Sequence, residues 1–79
     1  MKIELKLYAG LEKYLSDKKG QNRFELDLSE GTTITSLLEE LTIPFQEAKI
    51  IFLNGLHAKG DEPLRDGDRV GIFPPLGGG

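Results

Sequence analysis

One segment of the chain carries a sustained apolar stripe at helical spacing, and it limits the architectures open to the rest. In "GTTITSLLEEL", Ile34, Leu37, Leu38 and Leu41 recur at i, i+3, i+4 and i+7, which places them along one side of an α-helix. Ser29 to Gly31 read as the turn before it, and Thr32 or Thr33 supplies the capping hydroxyl. Pro44 prevents continuation, because it lacks an N–H and disfavours the helical conformation at Ile43. A single amphipathic helix cannot enclose a core, so its stripe must lie on a sheet.

The sheet is written in period-two segments on both sides of that helix. "KIELKLY" alternates Ile3, Leu5 and Leu7 with Lys2, Glu4, Lys6 and Tyr8, and "RFELDL" alternates Phe24, Leu26 and Leu28 with Arg23, Glu25 and Asp27; each reads as a half-buried strand. Between them, Leu11, Tyr14 and Leu15 in "GLEKYLSDKKG" predict a short helix, with Gly20 placed to end the turn. After the long helix, the run Ile50 to Leu53 is followed by Asn54-Gly55, a strong hairpin signal, and a brief return strand is expected near His57 to Lys59. A turn at "RDGD" leads into "RVGIF", where Val70 and Ile72 alternate with Arg69, Gly71 and Phe73. Pro74 and Pro75 then end ladder pairing.

The expected fold is therefore α+β: a mixed sheet of about five strands, one main helix and one short helix, all in a single domain over residues 1–79 with a tail over 74–79. No repeat and no linker divides it. If the last strand lies beside the first, the long connection permits a parallel pair. Tyr8 and Phe73, each at the end of its strand and away from the core stripe, then come together as an exposed aromatic pair.

A chain of 79 residues buries only about 60–65 % of its unfolded surface, so one thin core must supply its stability. With no Cys, neither a disulfide nor a thiolate metal site contributes. The formal net charge of −3 is spread along the chain, which gives no footprint for nucleic acid. Met1 leads straight into an alternating strand, and no stretch approaches the roughly 20 apolar residues that span a bilayer. A soluble, cytoplasmic protein with no membrane partner is expected.

Side-chain catalysis finds little material here. His57 is the only His and reads as a solvated strand residue; Ser16, Ser29 and Ser36 sit in loop, turn or helix-surface positions, so no nucleophile–base pair can be assembled. Asp66 and Asp68 flank Gly67 without the further ligands that a calcium loop needs, and turn chemistry accounts for them. No metal site is expected.

What remains is the terminus "FPPLGGG". Glycine content alone is compatible with a frayed end. Yet Leu76, Gly77, Gly78 and Gly79 follow directly on the Pro74-Pro75 stop, beside Phe73, and the six residues from Pro74 reach at most about 20 Å when extended. Glycine lacks a Cβ, so such a thread passes a narrow channel. Its reactive group would be the Gly79 carboxylate, which is ionised at neutral pH, since its reference pKa is about 3.3–3.7, and so resists attack at carbon. Activation requires a better leaving group and a partner enzyme that binds ATP, since nothing in the chain does.

The opening strand ending in "LYAGL", the helix "GTTITSLLEEL", "IFLNG", "LRDGDRVGIFPP" and the terminal Gly78-Gly79 together resemble the MoaD/ThiS sulfur-carrier proteins of the ubiquitin-like β-grasp fold. The resemblance covers essentially the whole chain, and "IFPPLGGG" is closer to the MoaD branch. It implies that an E1-like enzyme adenylates Gly79 and that sulfur from a persulfide donor replaces AMP to leave a thiocarboxylate. A larger synthase subunit then receives the tail for molybdopterin synthesis, with this chain as the small subunit. By the family pattern Phe73, Tyr8 and the position of His57 meet the partner, together with Pro74, Pro75, Leu76, Gly77 and Gly78. Three readings stay open: a sulfur carrier for the pterin or, as in ThiS, for the thiazole of thiamine; a ubiquitin-like modifier conjugated through Gly79; and a β-grasp interaction module with an inert tail. Gly77, one glycine beyond the usual pair, is compatible with each.

Overall fold

The alternation at the start of the chain becomes strand β1 (Lys2–Leu7), in which Ile3, Leu5 and Leu7 are buried and the residues between them are not. The computed structural model describes residues 1–15 and 20–75. Beside β1 lie β2 (Arg23–Asp27), β3 (Ile50–Leu53), β4 (Leu56–His57) and β5 (Arg69–Phe73). The five form one sheet in the order β2-β1-β5-β3-β4. β1 pairs antiparallel with β2, from Lys2 opposite Asp27 to Lys6 opposite Arg23, and parallel with β5, from Glu4 opposite Arg69 to Leu7 opposite Ile72. The parallel pairing of first and last strands that the long connection permits is thus observed, and it places β1 and β5 inside the sheet.

The helix α1 (Ile34–Glu40) covers one face of this sheet, burying Ile34, Leu37 and Leu38. Thr33, rather than Thr32, is its cap: its hydroxyl accepts the Ser36 N–H at 3.1 Å. Thr32 is buried and donates its hydroxyl to the Ser29 carbonyl at 2.8 Å. The helix ends at Glu40 with Leu41 as its C-cap, short of Pro44. Thr42 N–H donates to the Glu39 carbonyl (3.1 Å) and Ile43 N–H to the Leu38 carbonyl (3.0 Å), the paired bonds of a Schellman motif. The motif needs a left-handed residue, and Thr42 takes it at φ +56°, a strained conformation for a β-branched side chain. Ile43 beyond it is buried.

The expected short helix is a single 3₁₀ turn, Leu11–Tyr14, after which Leu15 leaves helical geometry at φ −122°. Only Leu11 of its stripe is fully buried, and one apolar anchor does not sustain a longer helix; Ser16 to Lys19 lie outside the described residues. A second 3₁₀ turn, Phe45–Glu47, replaces what reads in the sequence as plain loop. The two turns are joined by the Tyr14 hydroxyl, which donates to the Glu47 carboxylate. That bond, followed by partial desolvation and the charge of Glu47, raises the Tyr14 pKa above its usual value.

The core runs from the inner face of β1 and β5 through Ile51 to α1, and Leu64 and Ala58 close it from the loop after β4. That loop is held to the helix start by polar bonds. The Thr35 N–H and hydroxyl both donate to the Gly60 carbonyl, at 2.9 and 2.8 Å. Glu62 accepts the N–H groups of Lys59 and Gly60 at 2.8 and 2.7 Å, and these bonds, Lys59's first, lower its pKa. No helix among the described residues is long and apolar enough to cross a membrane.

Candidate functional site

The face of the sheet opposite α1 bears a line of aromatic rings. The Tyr8 and Phe73 rings lie parallel, with centroids 4.2 Å apart and 1° between planes. Phe52 meets Phe73 edge-on at 5.9 Å, and His57 meets Phe52 edge-on at 5.5 Å. The line crosses from the end of β1 over β5 and β3 to β4. Stacked and edge-on contacts at these separations are the geometries that the ring quadrupole favours.

Strand register accounts for it. Ile50 lies opposite Phe73, while Phe52 lies opposite both Gly71 and His57. Tyr8 sits just beyond β1 with its N–H donated to the Ile72 carbonyl at 3.1 Å, which sets its ring beside Phe73. Gly71 carries no side chain between Lys6 and Phe52, leaving a hollow of about 310 Å³ walled by Tyr8, Phe52 and Phe73 and bordered by Glu4, Lys6 and Arg69. Tyr8 and Phe73 are half-buried against each other, not fully exposed; His57 is exposed.

The Asn54-Gly55 hairpin is present, with φ of +52° and +84° at its two central positions, the type I′ geometry. Asp66 accepts the Lys2 N–H at 2.7 Å, and Asp68 accepts the Arg65 N–H at 2.8 Å and the Asn54 side-chain amide at 3.0 Å. These carboxylates hold backbone at the end of the sheet, as turn chemistry requires.

Of the expected site residues, the structure brings Tyr8, Phe73 and His57 onto one face, with half-buried Pro74 and exposed Pro75 leaving it directly after Phe73. Leu76, Gly77, Gly78 and Gly79 lie outside the described residues. Phe52 was not singled out by sequence reasoning, although it joins Phe73 to His57. In the run Ile50 to Leu53 every residue is apolar, so the alternation that sends Ile51 inward and Phe52 outward is invisible in hydropathy; the Asn54-Gly55 turn and its pairing register were the signal that could have found it.

The pattern described as the ThiS family matches residues 12–79. Among solved structures, a Pyrococcus furiosus protein assigned as molybdopterin converting factor, subunit 1, is 30% identical, with 95% of this chain and 98% of that one covered and a TM-score of 0.71. SAMP1 from Haloferax volcanii is 25% identical over 100% of both chains, with a TM-score of 0.71. The complex of subunits 1 and 2 of the Helicobacter pylori molybdopterin-converting factor contains a chain 21% identical over 100% of both, with a TM-score of 0.63, a likeness of fold. No curated protein sequence matches the chain.

Proposed function

The chain belongs to the ThiS family of ubiquitin-like sulfur carriers, and from that premise we propose that it carries sulfur on the carboxylate of Gly79, in the cytoplasm, for molybdopterin synthesis. The observation that carries the reading is the aromatic face at the root of the tail. The rings of Tyr8, Phe52 and Phe73 form a docking shelf, and the chain leaves it through Pro74 and Pro75 with a glycine thread to follow. A partner that seats the shelf has the thread's entry point set for it.

An adenylating enzyme holding ATP acts first. A Gly79 carboxylate oxygen attacks the α-phosphate and pyrophosphate leaves, so the acyl carbon now bears AMP as leaving group. A persulfide sulfur displaces AMP, and cleavage of its S–S bond by a thiol leaves the thiocarboxylate. Sulfur is then the nucleophile that the tail delivers inside a larger synthase subunit. The chain itself supplies position: the shelf orients, and the glycines admit the terminus to a narrow site. No side chain of this chain needs to exchange a proton in either step.

Incubation with the adenylating enzyme, ATP and a sulfur source, followed by intact mass spectrometry, tests this. The expected result is a gain equal to exchanging one oxygen for sulfur, absent in a variant lacking Gly79 that still folds. Loading retained without Gly79 refutes the proposal. The likeness to SAMP1 supports a second reading, a modifier joined through Gly79 to lysines of other proteins, and in the same experiment a lysine adduct identifies it. The ThiS-like route to the thiazole of thiamine shares the loading steps and differs in the acceptor, so transfer assays with the pterin and thiazole synthases separate the two.

A further inference from the structure

The shelf is not electrically neutral, although the chain as a whole carries a formal charge of −3. Lys6 and Arg69 border the hollow over Gly71. Glu4, opposite Arg69 in the register, directs its carboxylate to Arg23 on the other side, 3.7 Å from Nε. No ion pair joins Lys6 or Arg69 to a carboxylate among the described residues. Two cations and one carboxylate, Glu4, thus line the hollow beside the aromatic wall, and a second hollow, shared through Glu4 and Arg69 and also lined by Lys2 and Glu25, adjoins it. From Phe73 to Arg69 the strand runs four residues, about 13 Å at 3.3 Å each, room for a short extended segment.

We infer that this face receives a partner segment in which an apolar side chain is flanked by carboxylates. The apolar group fills the space that Gly71 leaves open against Phe52 and Phe73, and the carboxylates take Lys6 and Arg69. This rests on the docking role of the shelf proposed above and adds to it the chemistry of the partner. Complementary charge at the edge of an apolar contact sets register and speeds association, and a neutral partner surface leaves both cations partly desolvated and unpaired.

The test is isothermal titration of the full chain with the larger synthase subunit, at about 0.1 M and about 1 M salt, where screening lengths are about 10 and 3 Å. The Lys6→Gln/Arg69→Gln variant is expected to bind about 10–100-fold more weakly at the lower salt, and to lose most of the salt dependence that the unaltered chain shows. Lys6→Arg/Arg69→Lys keeps the charges and restores binding, and Lys13→Gln, outside the hollow, leaves it unchanged. Urea midpoints confirm that each variant is folded. If the double glutamine variant binds within twofold of the unaltered chain while Phe73→Ala binds weakly, the shelf docks but its cations have no acidic counterpart, and the inference is overturned. If Phe73→Ala also binds normally, the docking role fails and the inference falls with it.

Discussion

Replacing Phe73 by Ala separates the two roles of the aromatic shelf, holding the sheet end and receiving a partner. Full truncation of a buried Phe costs about 3–5 kcal/mol. Phe73 is only half-buried, and its backbone pairing with Ile50 survives the change, so about half of that, roughly 2 kcal/mol, is expected for folding. Within this figure, its stack on Tyr8 at 4.2 Å and its edge contact with Phe52 at 5.9 Å contribute about 0.5–1.5 kcal/mol each at most. A loss of about 2 kcal/mol lowers the unfolding temperature of a domain this size by roughly 8–16 °C and leaves it folded at room temperature. For binding, a central aromatic anchor costs about 2 kcal/mol or more when truncated, a factor of about 30 in Kd. Urea unfolding followed by circular dichroism reads the first quantity, and titration calorimetry with the larger synthase subunit reads the second. Tyr8→Phe, which preserves the stack, serves as the control and should change neither by more than about 0.5 kcal/mol. A folded Phe73→Ala variant that binds within threefold of the unaltered chain would refute the shelf as a docking surface.

Other perturbations address single features. Thr42→Gly should stabilise the chain by about 0.5–1 kcal/mol, because relief of the left-handed strain, about 1–2 kcal/mol, exceeds the added unfolded-state entropy of glycine, about 0.5–1 kcal/mol; an unchanged urea midpoint would contradict it. Gly71→Val should leave folding intact, since a Cβ there meets only the Tyr8 ring edge at 3.6 Å, but should weaken partner binding by filling the hollow, as titration calorimetry would show. Glu62 has a folded pKa below its unfolded value of about 4.3, so its stabilisation is present above that value and disappears as pH falls through the folded pKa. Glu62→Gln should therefore lower stability near neutral pH and flatten its acid dependence, measured by thermal melts across acidic pH.

The alternation in Lys2 to Tyr8 and the stripe from Ile34 to Leu41 decide which faces are buried, because side-chain direction follows directly from backbone period. Those two patterns, with the Asn54-Gly55 turn and the stop at Pro74, were enough for the fold class; the parallel pairing of first and last strands, and with it the meeting of Tyr8 with Phe73, was permitted by the sequence and decided by the sheet order. The helix stops before Pro44, as the sequence requires, but its Schellman end on Thr42 is formed by backbone bonds that residue type barely signals. The turn at Phe45–Glu47 was missed for a related reason: three residues carry no period.

The remaining features arise from register between strands distant in sequence. Phe52 becomes part of the shelf because β3 pairs with β5 so that it faces Gly71, and the same pairing opens the hollow beneath it. Lys6 and Arg69 border that hollow only because β1 and β5 are neighbours, and Glu4, opposite Arg69 in the register, pairs instead with Arg23 on β2. Local pattern carries the direction in which each side chain points, as the backbone dihedrals of neighbours dictate it. Which side chains then stand together depends on hydrogen-bond ladders between segments tens of residues apart, and only packing of the whole sheet under α1 selects them.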